Sequence, residues 1–212
     1  MRTIRILVLA LFVLALAPAA FAQSSWDFES DVEGQPPAGF EFSTTLAASG
    51  GEWKIVDDGG NKVLAQTDTS PTERRFAMAV VKDSVFRDLK LSVRGKAVSG
   101  DEDRAVGLVW RWRDPDNYYV ARTNVLERNV RLYRVVNGNR IKFAGVEDQA
   151  LAPGTWQTFA VEHRGSGIKV FLDGRLLFEA EDETFSESGK VGLWVKADSK
   201  TYFDDLTVEE LK

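Results

Sequence analysis

Arginine and tyrosine recur at alternating positions in three neighbouring stretches of the chain: Arg111 and Arg113, then Tyr118, Arg122 and Asn124, then Arg131 and Tyr133. The planar guanidinium fork grips carboxylates, sulfates or vicinal hydroxyls, and a phenol ring offers a flat apolar platform for a sugar ring. If the three stretches are adjacent strands, alternation gathers these side chains on one sheet face. Such a face would bind an oxygen-rich ligand. The opposing reading is a solvated face on which the arginines pair with nearby Asp and Glu.

Other chemistry finds less support. No buried strand carries two carboxylates at i and i+4, the spacing that would set a glycosidase pair on one face. The acidic runs Asp101-Glu102-Asp103 and Glu179-Ala180-Glu181-Asp182-Glu183 fall at strand ends or in loops and read as solvated. The single histidine, His163, cannot build a His-rich metal site and reads as a structural or rim residue, with Glu162 beside it as a surface residue. A second constellation joins the ends: Trp26-Asp27-Phe28-Glu29-Ser30-Asp31 and Tyr202-Phe203-Asp204-Asp205-Leu206. Paired terminal strands could close oxygen ligands around a hard cation, Ca²⁺ before Zn²⁺, in a purely structural role. The alternative is that Asp204 or Asp205 caps the last strand and bonds neighbouring amides.

The elements that must position these residues are strands. From Ser25 onward the chain alternates or runs apolar in short stretches between turn signals, with hardly any 3.6-residue period. Ten strands are predicted: 75–81, 89–98, 105–113, 118–125, 130–136, 155–163, 168–172, 175–179, 190–196 and 201–209. Asp173-Gly174 between two apolar triplets marks a type I′ hairpin. In 105–113 the even positions Val106, Leu108, Trp110 and Trp112 are large and apolar, so they face the opposing sheet. A four-residue loop at Asp114–Asn117 would pair Arg113 with Tyr118 and Arg111 with Val120. A loop at Leu126–Asn129 would pair Arg122 with Tyr133. Arg134 falls on the apolar side and must snorkel at a rim if that register holds.

The 212 residues, with 27 basic and 32 acidic side chains and no cysteine, fit one domain without disulfides or zinc-thiolate sites. Residues 1–22 read as a secretory signal peptide: Arg2 and Arg5, an apolar run, then Ala20-Phe21-Ala22. Cleavage would leave residues 23–212 as the single domain, with 25 basic against 32 acidic residues and a net charge of −7. That charge gives no general field for nucleic acid, and nothing after the leader would span a bilayer. The mature protein is expected in the periplasm or outside the cell.

Several segments together resemble the concanavalin A-like lectin/glucanase superfamily: 105–119 (AVGLVWRWRDPDNYY), Gly154-Thr155-Trp156, Phe171-Leu172-Asp173-Gly174, Gly189 to Trp194, and Tyr202-Phe203-Asp204-Asp205. Within it the chain is most similar to secreted domains of the 3-keto-disaccharide hydrolase family and to laminin-G-like modules. The resemblance implies an all-β, two-sheet antiparallel β-sandwich of jelly-roll type with a concave saccharide-binding face. It also marks Glu29 and Asp205 as the ligands of a structural Ca²⁺, with no other cofactor required. The Asn-Gly-Lys-Asp-Leu-x-x-Trp-like opening of the hydrolases and the Glu-x-Asp-x-x-Glu strand of the glucanases are both absent, so no catalytic residue carries over. The expectation is a glycan-binding domain, acidic glycans included, using Arg111, Arg113, Tyr118, Arg122, Asn124, Arg131 and Tyr133. The alternatives are a glycoside or 3-keto-disaccharide hydrolase of the same fold, and a non-catalytic envelope module that binds protein.

Overall fold

A computed structural model describes residues 23–45, 50–72, 75–149 and 151–212; the segment read as a signal peptide lies outside the described residues. Fifteen strands and no α-helix occur among the described residues. The first sheet contains β1 (Gln23–Trp26), β3 (Trp53–Asp57), β4 (Lys62–Gln66), β6 (Leu89–Ser99), β11 (Gln157–Arg164), β12 (Gly167–Leu172), β13 (Arg175–Glu181) and β15 (Lys200–Glu210). The second contains β2 (Phe40–Thr44), β5 (Phe76–Val81), β7 (Ala105–Asp114), β8 (Asn117–Asn124), β9 (Asn129–Val136), β10 (Asn139–Val146) and β14 (Lys190–Lys196). Their spatial orders are β13-β12-β11-β6-β15-β4-β3, with β1 also on β15, and β10-β9-β8-β7-β14-β5-β2. Every strand pairing is antiparallel, so the expected two-sheet antiparallel sandwich is the fold.

The core between the sheets follows from the alternation. Leu91, Val93, Phe159, Val161, Ile168 and Phe203 from the first sheet meet Val106, Leu108, Trp110, Tyr119, Leu132 and Leu193 from the second. The second sheet is buried on its other side as well, where Phe76, Met78, Val109, Trp112, Tyr118, Tyr133 and Trp194 form a separate apolar layer. That double burial is why β5 reads Phe-Ala-Met-Ala-Val-Val without a polar break. Five strands escape the sequence pattern. β1 to β4 are only four or five residues long, and β10 is a half-exposed edge strand with a register shift at Phe143.

The turns correct the expected register. Asp114 pairs with Asn117, leaving a two-residue turn, and Arg122 lies opposite Gly107 while Val109 lies opposite Val120. Asn124 pairs with Asn129, which sets Arg122 opposite Arg131 and Val120 opposite Tyr133. Asp114–Asn117 is in line with the expected Arg113–Tyr118 pair, whereas from Trp110 back along β7, and throughout the second hairpin, the partners differ from the expectation by two residues, a slip that keeps those side chains on their assigned faces. A bulge between Trp110 and Asp114 has the stronger effect, with Arg111 at φ +44°. Past it the alternation inverts, so Trp112 belongs to the outer apolar layer and not to the core between the sheets. The two-residue turns Asn137-Gly138 and Asp173-Gly174 have positive φ at both positions, as a type I′ hairpin requires.

Candidate functional site

Strands β8 and β9 bring Arg122, Asn124, Asn129, Arg131 and Tyr133 onto the outer face of the second sheet, because residues opposite one another in a ladder share a face. Arg122 is almost wholly buried there, so its charge must be met locally. Its Nη1 donates to Asn129 Oδ1 at 2.5 Å, and its Nη2 donates to Glu127 Oε2 at 2.8 Å and to Tyr133 OH at 3.2 Å. Asn129 donates to Glu127 and Glu147, both at 3.1 Å, and Arg131 pairs with the same two carboxylates. At the far end of β8, Asn124 donates to Asp103 Oδ1 at 2.5 Å, and Lys196 forms an ion pair with Asp103. Lys196 Nζ also stands 3.9 Å from Glu127. Two carboxylates therefore share one ammonium.

Their environments push them apart. Burial drives the Asp103 carboxyl above its ordinary range and outweighs the pull of Lys196. Burial acts on Glu127 in the same sense, but the charge of Arg122 and the hydrogen bonds from Asn129 and Arg122 prevail and hold it below. Asp103 had read as part of a solvated acidic run, yet it is fully buried. Asp182 corrects the second run in the same way: it is buried, accepts from Tyr119 OH at 2.6 Å, and pairs with Arg134 at the rim where that arginine snorkels.

The bulge removes two expected members from this face. Arg111 turns to one end of the sandwich, where it is buried and donates to the carbonyls of Arg87, Phe185 and Gly165, with Asp88 at 3.3 Å. Arg113 lies over the ring of Phe185, 5.1 Å from its centroid. Both hold loops in place. Tyr118 stays on the face but is fully buried, its hydroxyl 2.6 Å from Thr45 Oγ1, and burial raises it to about 12. Tyr133 is only 5% exposed. The two phenols are thus a supporting layer and not open platforms. Glu127 and Arg131 present the accessible edges, with side chains about a third and a quarter exposed.

Sequence reasoning missed Asp103, Glu127, Asn129, Lys196 and Arg140. Arg140, on edge strand β10, lies 4.6 Å from the ring centroids of both Phe76 and Tyr133 and 5.8 Å from that of Trp194. Phe76 and Trp194 belong to β5 and β14, so a side chain of the edge strand meets rings from the sixth and fifth strands of the same sheet. Five buried side-chain polar atoms among the described residues lack a hydrogen-bond partner: Ser43 Oγ, Trp112 Nε1, Arg122 Nε, Arg140 Nη1 and His163 Nε2. The first four lie on this face, and three of those are N–H donors. The face also carries Arg122, Arg131, Arg140, Lys142, Lys190 and Lys196, against Glu41, Asp103, Glu127 and Glu147. It is locally positive on a protein of net charge −5.

The remaining candidates have structural partners. His163 is buried between the sheets, where its Nδ1 accepts from Trp110 Nε1 at 2.8 Å. Strands β1 and β15 pair as the terminal reading expected. Glu29 accepts from the Lys62 amide at 3.2 Å, whereas Asp205 pairs with Arg94 at 3.2 Å and is half exposed. Asp204 accepts from the Asp205 amide at 2.8 Å and from Asn61 at 2.9 Å. Among the described residues no group of three or more His, Asp and Glu is set to hold a metal ion. An open cleft of about 600 Å³ lies on the far side of the molecule, lined by Glu162, Arg164, Lys169, Glu179 and Glu181, a cross-strand pattern of alternating charge.

Solved structures share this architecture. A carbohydrate-binding module, CBM66, from Bacillus subtilis is 22% identical, with a TM-score of 0.64 over 80% of this chain and 95% of that one. Lectin II from Ulex europaeus is 11% identical, with a TM-score of 0.62 over 90% of this chain and 99% of its own. The Bacillus licheniformis β-glucanase is 13% identical, with a TM-score of 0.59 over 90% and 98%. No curated protein matches the chain. These likenesses fix the fold as one shared by lectins, binding modules and glucanases. The model of one family, the 3-keto-α-glucoside-1,2-lyase-like domain, matches residues 27–209, and the chain belongs to that family.

Proposed function

We propose that the protein is an exported saccharide-binding β-sandwich whose site is the concave outer face of the second sheet. The observation that carries this reading is the network of Arg122, Glu127, Asn129 and Arg131, which rests on a buried aromatic layer and turns polar edges outward. Carboxylate and guanidinium edges at fixed spacing match the vicinal hydroxyls of a sugar, and a network already bonded internally loses little entropy on binding. A hydrogen bond to a charged group contributes roughly 1.5–3 kcal/mol, about tenfold or more in affinity. Titration of purified protein with an oligosaccharide panel should therefore give a ligand that the double variant Arg131→Ala, Glu147→Gln binds at least tenfold more weakly. Unchanged affinity in that variant overturns the reading.

A second reading, sugar-bond cleavage, is favoured by the opposed shifts of Asp103 and Glu127 around Lys196. A ketone at C3 of a glucoside acidifies the hydrogen on C2. An ionised carboxylate removes that proton, the electron pair forms the C1–C2 double bond, and the C1–O bond breaks to release the aglycone, whose oxygen takes up a proton. Glu127, ionised and partly exposed, is the base in this scheme, and Lys196 would steady the ketone oxygen. Glu127→Gln should then abolish turnover of a 3-keto-glucoside while leaving its affinity within a few-fold. Turnover that survives the substitution removes this reading and leaves the first untouched.

A further inference from the structure

We propose that Arg140, together with the free Nε–H of Arg122, forms the recognition point for a carboxylate, so that the ligand of this face is an acidic, uronate-bearing saccharide. The inference rests on the saccharide-binding reading and specifies its ligand. Arg111, Arg122, Arg131 and Arg134 each have a carboxylate partner. Arg140 has none: its contacts are the rings of Phe76, Tyr133 and Trp194, and its Nη1 is buried without an acceptor. Arg122 lies against the same Tyr133 ring, 5.8 Å from the centroid, with its own Nε buried and unbonded. Two guanidinium groups therefore lie on one phenol, and among the described residues the carboxylate ion-paired with either is Glu127, which holds Arg122 and Arg131 and not Arg140. Asp103 acts on Arg140 through its charge but forms no ion pair with it, since Lys196 and Asn124 hold its two oxygens.

An unpaired cation in an aromatic cage is partly compensated by the ring quadrupoles, but its N–H groups still lack an acceptor. A carboxylate supplies the missing charge and two acceptor oxygens in the geometry of a guanidinium fork. Neutral hydroxyls supply acceptors without the charge. Attached to a sugar ring, the carboxylate would approach along β10, a half-exposed edge strand whose ladder partner is β9.

Isothermal titration of the purified protein with α-1,4-linked trigalacturonate and the matching neutral galactotriose tests the assignment. The protein is expected to bind the acid at least tenfold more tightly than the neutral sugar. Arg140→Met, which keeps the aliphatic stem over the rings, should bring that ratio close to one while galactotriose affinity stays put. Arg140→Lys, which keeps the charge but not the fork, should retain part of it. Equal binding of the two sugars by the unmodified protein, or a ratio unchanged in Arg140→Met, overturns the role of Arg140 and leaves the saccharide face standing. Failure to bind either sugar, with a neutral oligosaccharide from a wider panel binding in their place, also refutes the acidic ligand. Failure of the whole panel refutes the underlying face.

Discussion

A buried polar side chain reports its importance through what would be left behind if it were cut away. Arg122 is held by Asn129, Glu127 and Tyr133, and its removal would strand Asn129 and Tyr133 in a buried layer. Leaving a buried donor or acceptor without its partner costs about 1–3 kcal/mol, whereas the Glu127 carboxylate left behind is a third exposed and keeps Arg131. Arg122→Met should therefore lower the unfolding free energy by roughly that amount, a loss that urea titration would detect and that a change below 1 kcal/mol would contradict. His163 makes the complementary case through pH. Burial, reinforced by the charge of Arg111, pushes its pKa down to about 3, so the folded protein keeps the ring neutral where the unfolded chain, near 6.5, takes up a proton. The resulting stability is complete above pH 6.5 and is lost as pH falls from there toward 3, by roughly 4–5 kcal/mol in all. Histidine 163 replaced by glutamine (His163→Gln) should flatten the pH dependence of stability across that window by one proton's worth. A slope identical to that of the unmodified protein would show that His163 does not carry it.

At the level of strands, the period of two explains both what the sequence revealed and what it hid. Alternation assigns faces, and a slip of two residues preserves them, so Tyr118, Arg122, Asn124, Arg131 and Tyr133 share the outer face although their partners in the β8–β9 hairpin were expected two positions away. One inserted residue inverts the pattern, and nothing in Trp-Arg-Trp-Arg announces where an insertion falls. Arg111, Trp112 and Arg113 were misplaced for that reason alone. Asp103, Glu127, Lys196 and Arg140 were hidden differently. They come from a loop, a turn, the fifth strand in the order of the sheet and an edge strand, and only the assembled sheet brings them together. The bulge itself depends on a glycine. A Cβ on Gly189 would stand 2.5 Å from the Arg111 carbonyl carbon and 2.7 Å from the Trp112 oxygen, contacts that only backbone movement can relieve. Overpacking of this kind costs about 1–3 kcal/mol, or roughly 2–12 °C for a chain of this size. Gly189→Ala should show that drop in thermal unfolding. Because it presses on the bulge that Arg111 depends on, the two loops that hold Gly165 and Phe185 should gain amide exchange, whereas the β8–β9 hairpin should not. Uniform loosening of both would deny the bulge its local role.

The whole molecule is tied together by its last described strand. β15 lies inside the first sheet, with β6 along one side and β4 and β1 along the other, and it carries Phe203, Leu206 and Val208 into the core with no exposure. Each of those side chains contributes roughly 1.5–3 kcal/mol by burial, and their loss would also open two unpaired strand edges. A domain of this kind commonly has only about 5–15 kcal/mol in hand. Three of the seven ladders of the first sheet, β3–β4, β11–β12 and β12–β13, are local hairpins, but β15 must return to β6 across a hundred residues and also takes in β4 and β1, so the sheet closes only when that strand is present. The first strand occupies the opposite position in this balance. Gln23, Ser24 and Ser25 are exposed, and only Trp26 packs on the core. Truncation after Ser199 should thus abolish the cooperative thermal transition. Removal of Gln23 to Ser25 should move the melting temperature by only about 2 °C, the scale of an ordinary surface change. Calorimetry on the two truncated proteins separates the cases, and a sharp transition in the chain that ends at Ser199 would mean that the second sheet and its outer apolar layer fold without the first.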